Sequence, residues 1–222
     1  MIAKRAAAKR AAEWIERGMI VGLGSGTTAA FFIEELIQRR HNGLECSAVA
    51  SSKASADLAL AGGIPLLDLS AVSSVDITVD GADEIDPQKR MIKGRGGAHV
   101  QEKILASSSQ KMVVIIDTTK CVAKLGKTPL PVEILRYGAE RTKDKLQERG
   151  FKGVWRKEDG QVFITENGNL LLDINFPHLL ESPEAIEEAI QQIPGVVDTG
   201  FFFHLAGPVI IGNSEGSVEV IP

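Results

Sequence analysis

The sequence contains few aromatic residues, few cysteines and no long apolar run. Phe, Trp and Tyr make up 5% of the 222 residues, and the two cysteines, Cys46 and Cys121, are far apart in the chain. This cysteine usage excludes a disulfide framework and a Cys-x-x-Cys zinc site, and it predicts a reducing, cytoplasmic location. No stretch approaches the roughly 18 apolar residues that span a bilayer, so we expect no membrane partner.

A basic excess is also missing. The 25 Lys and Arg residues are outnumbered by 29 Asp and Glu, which gives a formal net charge of −4. Proteins that bind the phosphate backbone of nucleic acids usually carry the opposite balance, so we expect no nucleic-acid partner.

The N-terminal segment 1–18 is basic but has no following apolar region, which excludes a secretory signal. A basic amphipathic helix for a membrane or an RNA is one interpretation. The preferred prediction is an Ala-rich surface helix with Trp14 and Ile15 facing inward, ended by Gly18.

Glycine, in contrast, is abundant, with 22 residues or nearly one in ten. There is no repeat or low-complexity segment to explain this number. Glycines of this kind serve either tight turns or backbone segments that approach a ligand closely. Their positions along the chain distinguish the two uses.

The first half of the chain alternates strand-like apolar runs with helix-like segments, which is typical of a parallel sheet covered by helices. The predicted strands are "MIVGLG", "CSAVA", "IPLLDL", "VDITVD" and "KMVVIID". We therefore predict a Rossmann-like α/β domain over residues 1–127, completed by the C-terminal segment 203–222.

A second domain is predicted over residues 128–202. Gly126, Pro129 and Pro131 interrupt the pattern and indicate a boundary. Beyond it the order is strand, helix, three strand-like runs joined by "DG" and "NGN" turns, a helix begun by Pro183, and a strand. This order is typical of a small ferredoxin-like α+β domain, which we expect to serve oligomerisation.

The segment "GLGSGTT" lies between a predicted strand and a predicted helix. A cradle for an anion is expected here. It would be formed by backbone amides that glycines leave accessible, by a helix N-terminus and by the hydroxyls of Ser25, Thr27 and Thr28. No Walker lysine follows, and the next strand does not end in the acidic residue that a dinucleotide requires. A phosphate monoester fits better, and a plain strand-to-helix turn remains the structural alternative.

The segment "VDGADEID" crowds Asp80, Asp83, Glu84 and Asp86 behind an apolar strand. Neighbouring carboxylates raise each other's pKa unless a cation, a metal or ligand hydroxyls compensate. A Mg²⁺ or Ca²⁺ site, acceptors for sugar hydroxyls, and a solvated acidic loop are all compatible with this pattern.

The segment "MIKGRGGA" carries Lys93 into a glycine-rich bend, and Glu102 follows in the first turn of a predicted helix. A carboxylate near exposed amides and a lysine suits a general base beside an oxyanion stabiliser. A glutamate that simply favours the helix dipole is the alternative. Lys120, at the end of the strand "VVIID", is either a phosphate contact or a surface lysine.

Together, "GLGSGTTAA", "SSKAS", "VDGADEID", "MIKGRGGA" with Glu102, and "GKTPLPVE" resemble the ribose-5-phosphate isomerase A family. The resemblance continues in order through "ENGN" and "IPGVVDTG" and covers nearly the whole chain. It implies an aldose–ketose isomerase that interconverts D-ribose 5-phosphate and D-ribulose 5-phosphate in the pentose phosphate pathway, with neither metal nor organic cofactor. It also implies a homodimer or homotetramer.

The resemblance assigns the general base to Glu102 and places three substrate loops and one further contact. Asp80, Asp83 and Lys93 also become candidates for catalytic assistance. The positions matched to substrate binding are Ser25, Gly26, Thr27, Thr28, Asp80, Gly81, Ala82, Asp83, Lys93, Gly94, Arg95, Gly96 and Lys120.

One residue departs from the family pattern, because Arg95 interrupts a loop that is often a run of glycines. If that position requires a positive φ, Arg95 is strained. If only its amide is used, the side chain is free. Other functions also fit parts of the pattern: a non-catalytic sugar-phosphate sensor, a CoA transferase or an amino-sugar-phosphate deaminase.

Overall fold

The computed structural model describes all 222 residues. The elements in chain order are α1 (Ile2–Ala12), β1 (Ile20–Leu23), α2 (Thr27–His41), β2 (Ser47–Ala50), α3 (Lys53–Ala61), β3 (Ile77–Asp80), β4 (Glu84–Ile85), β5 (Met91–Ile92), α4 (His99–Ser107), β6 (Met112–Asp117), β7 (Leu130–Ile134), α5 (Ala139–Glu148), β8 (Gly153–Trp155), β9 (Lys157–Glu158), β10 (Gln161–Val162), β11 (Leu170–Ile174), α6 (Pro183–Gln191), β12 (Val196–Thr199), β13 (Phe201–Phe202), β14 (Ala206–Gly212) and β15 (Val218–Ile221). No helix has the length and apolar character needed to cross a membrane.

The chain divides into two compact units. The first unit consists of Met1–Ala82, Gln101–Lys120 and Leu205–Pro222, and the second of Asp83–Val100 and Cys121–His204. This division differs from the predicted boundaries for the segment 83–100. The reason is strand pairing: β4 and β5 form a three-stranded sheet with β13 of the second unit.

The first unit is built on an open, mostly parallel sheet, as the sequence predicts. Its strand order is β15-β14-β6-β3-β1-β2, and only the edge strand β15 is antiparallel to its neighbour. The run "IPLLDL" forms no full strand, because Leu66 makes a single bridge to Ala48 and the chain then turns. The Asp68 side chain accepts from the Ser70 amide and caps a short 3-10 helix at that turn.

Helix α1 is more deeply buried than the predicted surface helix. Its alanines form a fully covered face: Ala7, Ala8, Ala11 and Ala12. The helix ends at Ala12 rather than at Gly18, while Ile15 is buried as predicted. Small side chains allow close packing, so a Cβ at Gly212 of β14 would lie 1.9 Å from the Ala3 carbonyl oxygen.

The second unit contains the ferredoxin-like order that the sequence predicts. Strands β7, β8, β11 and β12 form an antiparallel sheet in the order β12-β7-β11-β8, with α5 after β7 and α6 after β11. Leu130, Val132 and Ile134 of β7 belong to the apolar core of this unit. Since side chains alternate along a strand, Glu133 lies on the opposite face of the sheet.

Candidate functional site

The first unit presents a topological switch point between β1 and β3. β2 pairs with one side of β1 and β3 with the other, so connections leave the two strands in opposite directions. Ligands of open α/β sheets bind outside the carboxyl ends of strands at such a point. Gly24 and Ser25 follow β1 there, and β3 ends at Asp80, which Gly81 follows.

Asp80 holds these two strand ends together. Its side chain is buried, and Oδ1 accepts hydrogen bonds from the amides of Ser25 at 3.1 Å and Gly81 at 2.7 Å. A Cβ at Gly24 would lie 2.1 Å from the Asp80 carboxyl group. The carboxylate can approach the backbone only because residue 24 is glycine.

Serines of the "SSKAS" segment form hydrogen bonds with the loop that follows β1. Ser51 Oγ donates to the Leu23 carbonyl oxygen at 2.9 Å and lies 2.9 Å from Ser25 Oγ. Ser55 Oγ donates to the Gly24 carbonyl oxygen at 2.6 Å. The sequence predicts a serine-capped helix at this segment, and Ser52 is indeed its N-cap, but the support that Ser51 and Ser55 give to the loop after β1 has no local sequence signal.

The N-terminus of α2 faces the end of β1. Gly26 is its N-cap with φ of +88°, and no side chain caps the helix. Gly26 and Thr27 are exposed, while Ser25 and Thr28 are half-buried. Accessible amides, hydroxyls and the positive end of the helix dipole together form a cradle for an anion.

Lys120 lies in the short 3-10 turn after β6, and its charge, like that of Lys4 in α1, acts on the carboxylate of Asp117. Partial burial raises the pKa of Asp117, but hydrogen bonds from Thr119 and the charges of Lys4 and Lys120 outweigh it and hold that pKa below its usual value. Sequence reasoning missed Lys4. Its distance of more than a hundred residues from Lys120 left no local signal.

Glu102 is buried in the first turn of α4, at 4% exposure. The helix packs closely on β1, since a Cβ at Gly22 would lie 3.2 Å from Cγ of Leu105. A buried carboxylate on a rigid helix has the fixed position that a general base needs.

The second unit brings Asp83 and the glycine-rich loop together. Asp83 Oδ2 accepts from the amide of Arg95 at 3.0 Å, and the Asp83 amide donates to Ile92. Gly94 and Gly97 have φ of +102° and +82°, so these two glycines are needed for the path of the loop.

Lys93 is a buried cation at 3% exposure. Its amide donates to the Gly200 carbonyl oxygen at 2.8 Å, and its ammonium lies 5.3 Å from the centre of the Phe202 ring. The ring face attracts a cation and excludes water on that side. A lysine in such surroundings can act as a strong fixed donor.

Arg95 is not strained. Its φ is not positive, and its side chain is exposed while its amide is engaged by Asp83. The structure therefore gives no support to the expectation of a strained Arg95. Gly96 is likewise exposed, and a Cβ there would meet no atom within 4 Å.

The acidic run after β3 is not one cluster. Glu84 accepts from the amides of Gly126 and Thr128 and holds that loop. Asp86 pairs with Arg90, whose Nε lies 2.6 Å from Oδ2. No group of three or more His, Cys, Asp or Glu side chains is placed to hold a metal ion.

Known proteins resemble this chain over almost its full length. The family model described as ribose 5-phosphate isomerase A (phosphoriboisomerase A) matches residues 47–216. The ribose-5-phosphate isomerase A of Protochlamydia amoebophila is 44% identical over 220 residues, which cover 99% of this chain and 95% of the relative.

Solved structures agree. Ribose 5-phosphate isomerase A from Methanocaldococcus jannaschii is 37% identical with a TM-score of 0.91, covering 98% of this chain and 97% of that one. A D-ribose-5-phosphate isomerase in complex with phospho-erythronic acid is 35% identical with a TM-score of 0.92, covering 98% and 96%.

Proposed function

Because the chain belongs to the ribose 5-phosphate isomerase A family of enzymes, we propose that it interconverts D-ribose 5-phosphate and D-ribulose 5-phosphate. The observation that carries this proposal is the match of both sequence and fold over almost the entire chain. The relative solved with phospho-erythronic acid supports a phosphorylated sugar as the ligand. The sensor, CoA transferase and deaminase alternatives are not favoured by these relatives.

Glu102 is the proposed proton carrier. Its carboxylate removes the proton from C2 of the open-chain aldose, and the released electron pair forms the C1–C2 double bond of a cis-enediolate while the carbonyl electrons move to O1. Glu102 then returns the proton to C1, O1 gains a proton and O2 loses one to become the ketone. A single buried carboxylate on α4 can perform both transfers.

Lys93 is the proposed donor to the enediolate oxygens, aided by the loop amides of Gly94 and Gly96, while the Arg95 amide holds Asp83 beside them. The developing negative charge needs fixed donors, and a buried ammonium provides one without reorganisation. Asp83 and the segment Asp80–Ala82 are proposed to bind sugar hydroxyls.

Among these acidic residues, Asp83 is the better candidate for direct contact. It is half-buried, whereas Asp80 is fully covered and engaged by two amides. Asp80 therefore contributes chiefly by fixing the loops that meet at the ends of β1 and β3.

The phosphate is proposed to bind at the N-terminus of α2, on Ser25, Gly26, Thr27 and Thr28, with Lys120 as a cationic contact. The uncapped helix end and its hydroxyls support this assignment. Lys4 is proposed as a second cation, since its charge acts on the Asp117 carboxylate together with that of Lys120.

The cellular and quaternary context is proposed from the family and the sequence. We place the enzyme in the cytoplasm, as a homodimer or homotetramer, in the pentose phosphate pathway. The domain formed by residues 128–202 is proposed to contribute to subunit contacts. Exposed apolar side chains on this part of the chain, Leu135, Tyr137 and Ile164, support that role.

Proton exchange with the solvent tests the proposal. In deuterated water, NMR is expected to follow conversion of D-ribose 5-phosphate to the ketose, with solvent deuterium appearing at C1 of the product and at C2 of recovered substrate. Glu102→Gln should keep the fold and sugar-phosphate binding while losing about two to four decades of rate, the scale of a positioned base.

Glu148→Gln, at the exposed end of α5, is the matched control and should behave as wild type. A wild-type chain that neither isomerises the sugar phosphate nor exchanges its C2 proton would contradict the function. Substantial activity in Glu102→Gln would remove that residue from its role.

A further inference from the structure

Arg156 is fixed from several sides within the second unit. It lies between β8 and β9, and its side chain is only 15% exposed. Its Nε and Nη2 form a forked pair with the two carboxylate oxygens of Asp173 on β11, with Nε 2.9 Å from Oδ2. Its own amide donates to the Leu171 carbonyl oxygen at 2.8 Å, so backbone and side chain are both anchored to β11.

The remaining nitrogen of the guanidinium reaches the glycine-rich loop. Nη1 donates to the carbonyl oxygens of Gly94 at 2.8 Å and Arg95 at 2.9 Å. These are the two residues that follow Lys93. Since the Arg95 amide donates to Asp83, the peptide groups around Arg95 are held on both sides.

Stability alone does not explain this arrangement. A partly buried ion pair gives little net stability, because desolvation of both charges offsets their attraction. The pair also lies outside the apolar core of the unit, beside a cavity of about 350 Å³ lined by Asp83, Arg95 and Thr128. The planar guanidinium instead fixes the relative positions of its partners, because its N–H groups can donate to a carboxylate and to two carbonyl oxygens at the same time.

We propose that Arg156, oriented by Asp173, is a positioning residue for the reaction: it fixes the Gly94–Arg95 backbone and thereby the direction of Lys93 and the loop amides. This role rests on the proposed isomerase function. Arg156 acts through the loop, so its loss changes the alignment of donors for the enediolate more than the binding of the phosphate.

The test is Arg156→Lys, which keeps the positive charge but loses the fork. We expect kcat to fall about 10- to 100-fold, the scale of a misplacement near 1 Å, and KM to change less than about threefold. Hydrogen exchange of the amides of residues 94–97 should become faster. Arg141→Lys, which alters an exposed pair with Asp144, is the control and should change none of these quantities.

Asp173→Asn is the second variant and should have the same two effects as Arg156→Lys: a lower kcat and faster hydrogen exchange in the loop. It provides the test if Arg156→Lys does not fold. A kcat within twofold of wild type, or a loss of kcat with unchanged loop exchange, would overturn the positioning role. Wild-type inactivity on ribose 5-phosphate would instead contradict the proposed function, so the two failures are distinguishable.

Discussion

At the scale of single residues, Asp80 shows how this chain accommodates a buried carboxylate. Its Oδ1 receives two backbone amides. Hydrogen bonds to the charged form compensate for the hydration that the carboxylate loses on burial. Gly24 is also required for this arrangement, because any side chain at position 24 would occupy the space of the Asp80 carboxyl group.

Gly24→Ala tests this pairing. The added methyl group must displace Asp80, and overpacking of this kind costs about 1–3 kcal/mol. We expect the free energy of unfolding to fall by that amount and KM for the sugar phosphate to rise, because the Ser25 amide loses its anchor. Urea unfolding and steady-state kinetics measure the two effects.

Gly96→Ala is the matched control, since a Cβ there meets no atom within 4 Å and the φ is not positive. Its unfolding free energy should stay close to that of wild type. An unaltered stability in Gly24→Ala would show that Asp80 has room to move.

At the scale of secondary-structure elements, α1 illustrates why composition alone misjudges burial. Its basic residues suggest a surface helix, yet its alanines are completely covered. Alanine adds little area to a core but lets a helix approach a sheet closely. The short distance between Gly212 and the Ala3 carbonyl is the result.

Gly212→Ala is expected to push α1 away from β14. The new Cβ would overlap the Ala3 carbonyl, which belongs to the backbone and cannot rotate away. We expect a loss of about 1–3 kcal/mol in the free energy of unfolding, with faster hydrogen exchange in α1. Val220→Ala on the exposed edge strand β15 serves as the control, and equal effects of the two substitutions would contradict the close contact.

At the scale of the whole molecule, the candidate residues are distributed over both compact units. The first unit contains the N-terminus of α2 and Glu102, and the second contains Asp83 and Lys93. Some of the 22 glycines serve these segments, while others with positive φ, such as Gly160 and Gly168, lie in turns between strands. Gly22 and Gly24 permit close approach, while Gly26, Gly94 and Gly97 adopt positive φ in the loops of the proposed site.

Removal of metal ions is expected to leave activity intact. The proposed steps use a carboxylate, an ammonium group and backbone amides, none of which needs a divalent cation. Isomerisation should therefore proceed at the same rate after dialysis against EDTA. A loss of activity that Mg²⁺ restores would return the acidic segment after β3 to consideration as a metal site.

Much of this protein is determined by its sequence alone. The alternation of apolar runs and helices predicts the parallel sheet, and the order of elements after Pro131 predicts the small antiparallel one. The loops with glycines, carboxylates and lysine are visible as motifs because each is a continuous segment. Such patterns can be recognised in the sequence because secondary-structure propensity and hydrophobic periodicity depend on residues that are close together in the chain.

Other features were decided only by the tertiary structure. Segment 83–100 belongs with the second unit because β5 pairs with β13, more than a hundred residues away. The charge of Lys4 lowers the pKa of Asp117, and Arg156 donates to the carbonyl oxygens of Gly94 and Arg95, through interactions that no local spacing encodes. Hydrogen bonds and charges act through space, so the partners of a polar side chain become known only when the chain is folded.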